Sequence, residues 1–292
     1  MISSLYQRTD LAVEERGFST PHPGITVKEE SHQNINVTSV EIQNEKGALH
    51  LNRPIGHYIT LDFAQFWNDE ASEEAEALST VLSDSLRFLL LKKEKPLRIL
   101  VAGLGNRAIT ADAIGPLTAD KVHVTGHFEI EESLRPYLPP CPTYAISPGV
   151  VSQTGIETKK MIQAAISASK ASHVIVVDSL AARSTSRLGQ CIQLSDSGIT
   201  PGSGIGNQRA TLNYETLGIP VIAIGTPLVV SSSTLVFDAL EQAGIITVTP
   251  NLQNVLENGK SFFVTLNESD LATQRLSSVI ATAINTCIQN LT

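Results

Sequence analysis

Hydrophobic and polar positions along this chain fall into two regimes that change near residue 95. In the first, short stretches alternate: Asn36 to Asn44, and Ile55 to Phe63, where Ile59, Leu61 and Phe63 share one face against Tyr58, Thr60 and Asp62. This predicts a strand pair. Ahead of it, Arg8 to Asn34 is polar and broken by Pro21, His22, Pro23 and Gly24, the pattern of an extended arm. Behind it, Leu78, Val81, Leu82, Leu86 and Leu89 recur at helical spacing beneath an acidic face, predicting a helix over Glu73 to Leu91.

From Leu97 onward the pattern becomes strand, loop, helix, repeated. Strands are expected at Arg98 to Ala102, Val122 to Thr125, Thr143 to Ile146, Val174 to Val177 and Pro220 to Ile224, with a short one at Gln190 to Leu194. Helices are expected over Ile156 to Lys170 and near the C-terminus, where Leu276, Val279, Ile280, Ala283, Ile284, Cys287 and Ile288 form one stripe. Alternation of this kind predicts an α/β fold, a mostly parallel sheet with helices on both faces and a small N-terminal strand and arm region.

Composition narrows the class. The 292 residues suffice for a large core, and 42% hydrophobic against 17% charged residues suggests a surface partly covered by other subunits, hence a homo-oligomer. A net charge of −8 without a basic stripe argues against direct nucleic-acid binding. Three scattered thiols, Cys141, Cys191 and Cys287, with no basic-then-apolar leader, point to a reducing, cytoplasmic setting. No apolar run approaches the roughly 20 residues that span a bilayer, so no membrane role is expected.

Two glycine-rich segments compete for attention. Gly103, Gly105 and Ala108 follow a strand with dinucleotide-fingerprint spacing, but Pro116 stands where the helix should run. The run ending in Thr125, Gly126 and His127 also offers no acid for a ribose. In PGSGIGNQR the phosphate-loop ending is missing; Gly202, Gly204 and Gly206 allow close backbone approach, either as a plain turn or as a substrate-binding loop.

Asp112, in AGLGNRAITADAIGP, and Asp178, in HVIVVDSLAAR, each follow an apolar run that reads as a buried strand, so both would arrive at one edge of one sheet. Each could equally serve as a helix cap worth about 1 kcal/mol. As a pair sharing one proton, the ionised member would take a proton from water while the protonated member polarises a carbonyl. Arg183 and Arg187, just beyond Asp178, suit an acidic substrate group or an ordinary surface ion pair. Thr154 and Glu157 have the spacing of a capping box for the helix that follows. Covalent catalysis is disfavoured: Ser203 lacks the G-x-S-x-G order, Cys141 has no evident base, and Cys191 reads as core.

TADAIGP, SPGVVSQTGIETKK, VIVVDSLAARSTSRLGQCIQLSDSGITPGSGIGN and ETLGIPVIAIGTPLVV, with RTDLAVE near the start, together resemble the germination protease family. These endopeptidases begin the degradation of small acid-soluble spore proteins. The agreement is dense from about Gly103 to Val230. Ser152 departs from it, standing where the family pattern has glycine. The resemblance implies a fold distantly similar to the maturation proteases of nickel hydrogenases. It also implies a self-processing zymogen: residues 1–10 as propeptide, 11–95 as arm, strand pair and helix, and 96–292 as the catalytic domain. Self-cleavage is then expected between Asp10 and Leu11, at a site whose outline is an acid, an apolar residue, a small one and a closing glutamate. Asp112 and Asp178 become the expected catalytic pair. No cofactor is expected, the partners are small acid-soluble spore proteins, and a tetramer in the cytoplasm of the forespore or spore core is implied.

Two alternatives stay open. Hydrogenase maturation proteases bind nickel through carboxylates and a histidine, so a metal-dependent protease on the same fold is one. No HExxH or similar spacing supports it, and His127 is the one histidine placed after an expected strand. The other is a non-catalytic homologue that binds acidic peptides through PGSGIGNQR and Arg183.

Overall fold

Val174 to Val177 is buried on both faces, as a central parallel strand must be, and the rest of the fold is arranged around it. The computed structural model describes residues 9–15, 18–67, 73–91, 97–130, 133, 139, 141–205, 209–245, 249–258 and 262–291. In chain order the elements are β1 (Ile25–His32), β2 (Ile35–Ile42), α1 (Glu45–Leu51), β3 (Gly56–Asp62), α2 (Glu73–Leu91), β4 (Ile99–Gly103), α3 (Ile114–Ala119), β5 (Thr143–Ile146), α4 (Val151–Thr154) and α5 (Thr158–Ser169). There follow β6 (His173–Ala182), β7 (Cys191–Ser195), α6 (Tyr214–Leu217), β8 (Val221–Ser231), α7 (Ser232–Gln242), α8 (Pro250–Asn258), β9 (Phe263–Val264) and α9 (Ser269–Gln289).

One sheet runs in the order β1-β2-β3-β7-β8-β6-β4-β5, with β9 on the end of β8. Its centre is parallel, through the pairs β4/β5, β4/β6 and β6/β8. An antiparallel wing of β1, β2 and β3 joins that centre through β7. On one face Leu78, Leu82, Leu86 and Leu89 of α2 meet the stripe of α9 and the odd-numbered core residues of β6, Ile175 and Val177. On the other, Ile162 of α5 packs on Val174, Val176 and Val221. The α/β expectation of helices on both faces is met.

The structure changes several expectations. Part of the region expected as an extended arm is β1, paired with β2 along its whole length; its mostly exposed residues lack the buried alternation that marks a strand in sequence. Val122 to Thr125 forms no strand. Its backbone bonds go elsewhere: His123 N to the Asn285 side chain of α9, and Thr125 N to Thr143 O. Both β6 and β8 run well past the expected ends, because they pair with each other as far as Ala182 and Val230, with a register shift between Leu180 and Ala181. Among the described residues no helix is long and apolar enough to cross a membrane.

Candidate active site

The site begins where β4 ends. β4 stops at Gly103, opposite Val177, so on that side no described strand accompanies β6 beyond this point. Asp178 therefore lies within β6 rather than at its end, 6% exposed, with its Oδ1 accepting from Ser179 N at 2.9 Å. The chain leaving β4 turns back through Gly105, whose φ of +110° and 2.0 Å approach of a notional Cβ to Asp112 O allow no side chain there. That turn brings Asp112 over the end of the sheet, in a short 3-10 turn at Thr110–Asp112. Asp112 caps no helix: α3 starts from Ala113, and Asp112 Oδ2 instead accepts from Asn106 N at 2.7 Å. Gln153 steadies the same loop by donating to Asn106 Oδ1 at 2.7 Å.

Asp112 and Asp178 line one cavity of about 450 Å³, together with Asp10, Arg209 and Gly202. Burial raises the Asp178 pKa well above the usual carboxylate value, and the charges of Asp112 and Asp10 raise it further. The Asp112 pKa is raised as well, chiefly by burial, against the Asn106 N–H and the positive charge of Arg209. Asp178 is the more deeply buried of the two, and its shift is the larger. The two carboxyls face the same cavity, and burial opposes the ionisation of both, that of Asp178 more strongly.

Thr9 to Glu14 is laid into this cleft. Asp10 N donates to Ala181 O at 2.9 Å, and Ala181 N donates to Asp10 Oδ2 at 2.8 Å. Ser203 Oγ donates to the other carboxylate oxygen at 2.5 Å. Gly204 lies so close that a Cβ there would stand 2.4 Å from Asp10 Oδ2. Leu11 is fully buried against Leu180, Ala182, Leu188, Cys191 and Val230, while Ala12 is buried against Val40, Ile42, Leu51 and Tyr58. Gln193 spans the segment, its Nε2 donating to Asp10 O at 3.0 Å and its Oε1 accepting from Ala12 N at 2.7 Å.

The closing glutamate is held mainly by backbone. Glu14, 5% exposed, accepts from Arg183 N at 2.7 Å, Ser184 N at 3.1 Å and Thr9 Oγ1 at 2.5 Å. Arg187 Nε stands 3.7 Å from it, and Nη1 of the same guanidinium pairs with Asp62 at 2.5 Å. Arg183 thus meets Glu14 through its N–H, with no side-chain ion pair to it among those present. Thr9 Oγ1 also accepts from Leu11 N at 3.0 Å, so Thr9 and Glu14 touch and the segment is folded rather than straight.

A family model described as germination protease matches residues 5–243. The chain belongs to the germination protease family. It is a peptidase, an endopeptidase of spore germination by family. The germination protease of Clostridium perfringens (strain 13 / Type A) is 37% identical over 275 residues, 90% of this chain and 81% of that protein. That of Clostridium tetani (strain Massachusetts / E88) is 38% identical over 274 residues, with 90% and 81% covered. That of Priestia megaterium (strain ATCC 12872 / QMB1551) is 39% identical over 254 residues, with 82% and 68% covered. Among solved structures, the NiFe hydrogenase maturation protease HycI from Thermococcus kodakarensis KOD1 is matched at a TM-score of 0.37 and 17% identity, over 68% of this chain and 98% of that one.

Of the residues singled out in the sequence of this germination protease, Asp10, Leu11, Asp112, Asp178, Gly202 and Gly204 gather at the cleft, with Arg183 and Arg187 at its Glu14 end. Gly206 and residues 1–8 of the expected propeptide lie outside the described residues. Thr154 does not cap α5; it closes α4, its Oγ1 accepting from Ile156 N, and Glu157 takes the cap position with no side-chain bond. His127 packs on Phe128, with ring centroids 3.8 Å apart, and is not among the residues lining the cavity. Among the described residues no group of three or more His, Cys, Asp or Glu side chains is placed to hold a metal ion. Burial pushes the Cys141 thiol up to about 11 and Cys287 to about 12, so neither is a ready nucleophile. Gln193 and Arg209 went unnoticed in sequence. Arg209 closes a segment already singled out for its glycines, but nothing in a short strand marks Gln193.

Proposed function

We propose that this endopeptidase is made as a zymogen that cuts its own chain between Asp10 and Leu11, and then opens small acid-soluble spore proteins at sites of the same outline. The observation that carries the reading is the docking of Thr9 to Glu14 across the cleft, with Asp10 in the same cavity as Asp112 and Asp178. Asp10 fills a pocket made for a short acid by Ala181 N and Ser203 Oγ. Leu11 fills the apolar pocket, the small Ala12 sits under Tyr58, and Glu14 takes the N–H groups of Arg183 and Ser184. Each position of the expected recognition outline thus meets a surface of matching chemistry.

Asp112 is the ionised member of the pair and takes a proton from the attacking water; Asp178 carries the proton the reaction needs at the scissile bond. The Asn106 N–H and the positive charge of Arg209 favour the ionised form of Asp112 and offset part of the upward shift that burial gives it. Intact mass before and after incubation at mildly acidic pH, with Asp178→Asn in parallel, tests the reading. Loss of Met1 to Asp10 is expected in the parent alone. A cut at another bond, or an equal cut in the variant, refutes it.

A further inference from the structure

Asp178, Gly225 and Gln193 are directly opposed across β6, β8 and β7, so the three share one row and one face of the sheet. Gly225 in the middle has no side chain, and that of Leu180 lies in the space that a Cβ would need. From this row Gln193 reaches the backbone on both sides of the Asp10–Leu11 bond, and Asp178, two strands away, shares a cavity with Asp10.

Gln193 is 8% exposed, and its side chain makes two bonds, one on each side of the bond to be cut. Their directions fix its orientation. Ala12 N–H can only donate, so it requires the amide oxygen; the NH2 group must then face Asp10 O, which can only accept. A neutral donor is thereby held 3.0 Å from the carbonyl oxygen on which negative charge develops when water adds.

We propose that Gln193 is a catalytic residue of this peptidase, its Nε2–H stabilising the oxyanion formed at the residue before the cut bond. The assignment rests on the reading above that the Asp10–Leu11 bond is the one cleaved. Water adds to the Asp10 carbonyl carbon and gives its proton to the Asp112 carboxylate. The carbonyl electron pair moves onto the oxygen facing Gln193. That pair then reforms the double bond, the carbon–nitrogen bond breaks, and the Asp178 proton goes to the Leu11 nitrogen. The pair ends with one proton, as it began, now on Asp112. Because Gln193 takes the carbonyl oxygen, the Asp178 proton is free for the leaving amine instead of being spent on polarising the carbonyl.

Gln193→Met keeps length and removes the donor, and Gln193→Glu keeps an acceptor for Ala12 N. The rate to measure is that of self-cleavage in a single turnover, followed by intact mass. Hydrogen exchange at the Leu11 amide, whose partner is Thr9 Oγ1, reports docking independently of Gln193. Both variants are expected to lose roughly 10²- to 10³-fold in rate, the size of effect seen when one oxyanion donor is removed, while Leu11 stays protected. A rate within tenfold of the parent in a protected variant overturns the assignment. So does a loss of rate that comes with lost protection in both variants, since Gln193 would then only hold the segment in place. A parent chain that does not release residues 1–10 overturns the reading of the bond itself, a result distinct from a parent that cuts and variants that cut as fast.

Discussion

Alanine at position 204 would place a methyl group where the carboxylate of Asp10 sits. A Cβ there meets Asp10 Oδ2 at 2.4 Å and the Ala181 Cβ at 2.7 Å, and the second contact, on a sheet residue, cannot give way. Asp10 must move. It then loses the donors Ala181 N, at 2.8 Å, and Ser203 Oγ, at 2.5 Å. Hydrogen bonds to a charged group contribute about 1.5–3 kcal/mol each, and water recovers part of that once the carboxylate swings out. A net loss of about 2–4 kcal/mol corresponds to a roughly 30- to 1,000-fold drop in the docking equilibrium constant. Self-cleavage of Gly204→Ala at mildly acidic pH, followed by intact mass, is expected to slow by up to that factor. Asp10→Ala removes the same two bonds, so adding Gly204→Ala to it should cost little more, a non-additivity that identifies the shared contact. Full-rate cleavage in Gly204→Ala, or additive losses in the double variant, would refute the pocket.

Asp178→Asn is expected to stabilise the fold at neutral pH as well as to stop cleavage. Because its pKa is raised in the fold, this aspartate contributes stability that is fully present below the unfolded carboxylate range near 4 and is lost as pH rises toward the folded value. Urea unfolding at a series of pH values should therefore show the variant gaining on the parent above about pH 4 and levelling off once Asp178 ionises; a gap that narrows with rising pH contradicts the sign. Leu11→Ala empties a fully buried site among Leu180, Leu188 and Val230 and is expected to cost about 2–5 kcal/mol in urea unfolding of uncut chain. A loss below about 1 kcal/mol would mean that the segment is not packed as described.

Legibility followed periodicity. α2 over Glu73–Leu91 and α9 over Ser269–Gln289 are plain in sequence because a helix that buries one face repeats its leucines and isoleucines at fixed spacing. The central strands are plain because burial on both faces leaves an uninterrupted apolar run. β1 was not legible, since an edge strand with solvent on most of its side chains carries no such signature. Val122 to Thr125 failed in the opposite sense: its composition suits a strand, yet its backbone is committed to Asn285 and Thr143.

The same division runs through the site. The identity of the acids, the outline Asp10 to Glu14 and the glycines that allow close approach are properties of residue type and local order, and the chain states them by itself. What only the tertiary structure decided is which groups face one another. β4 ends one residue short of Asp178, so Ala181 is left to bind Asp10. The register of β6, β8 and β7 sets Gln193 across from Asp178. Burial, not neighbouring sequence, raises the pKa of Asp178 further than that of Asp112. Strand ends, register and desolvation all arise from contacts between residues far apart in the chain, and no local pattern encodes them.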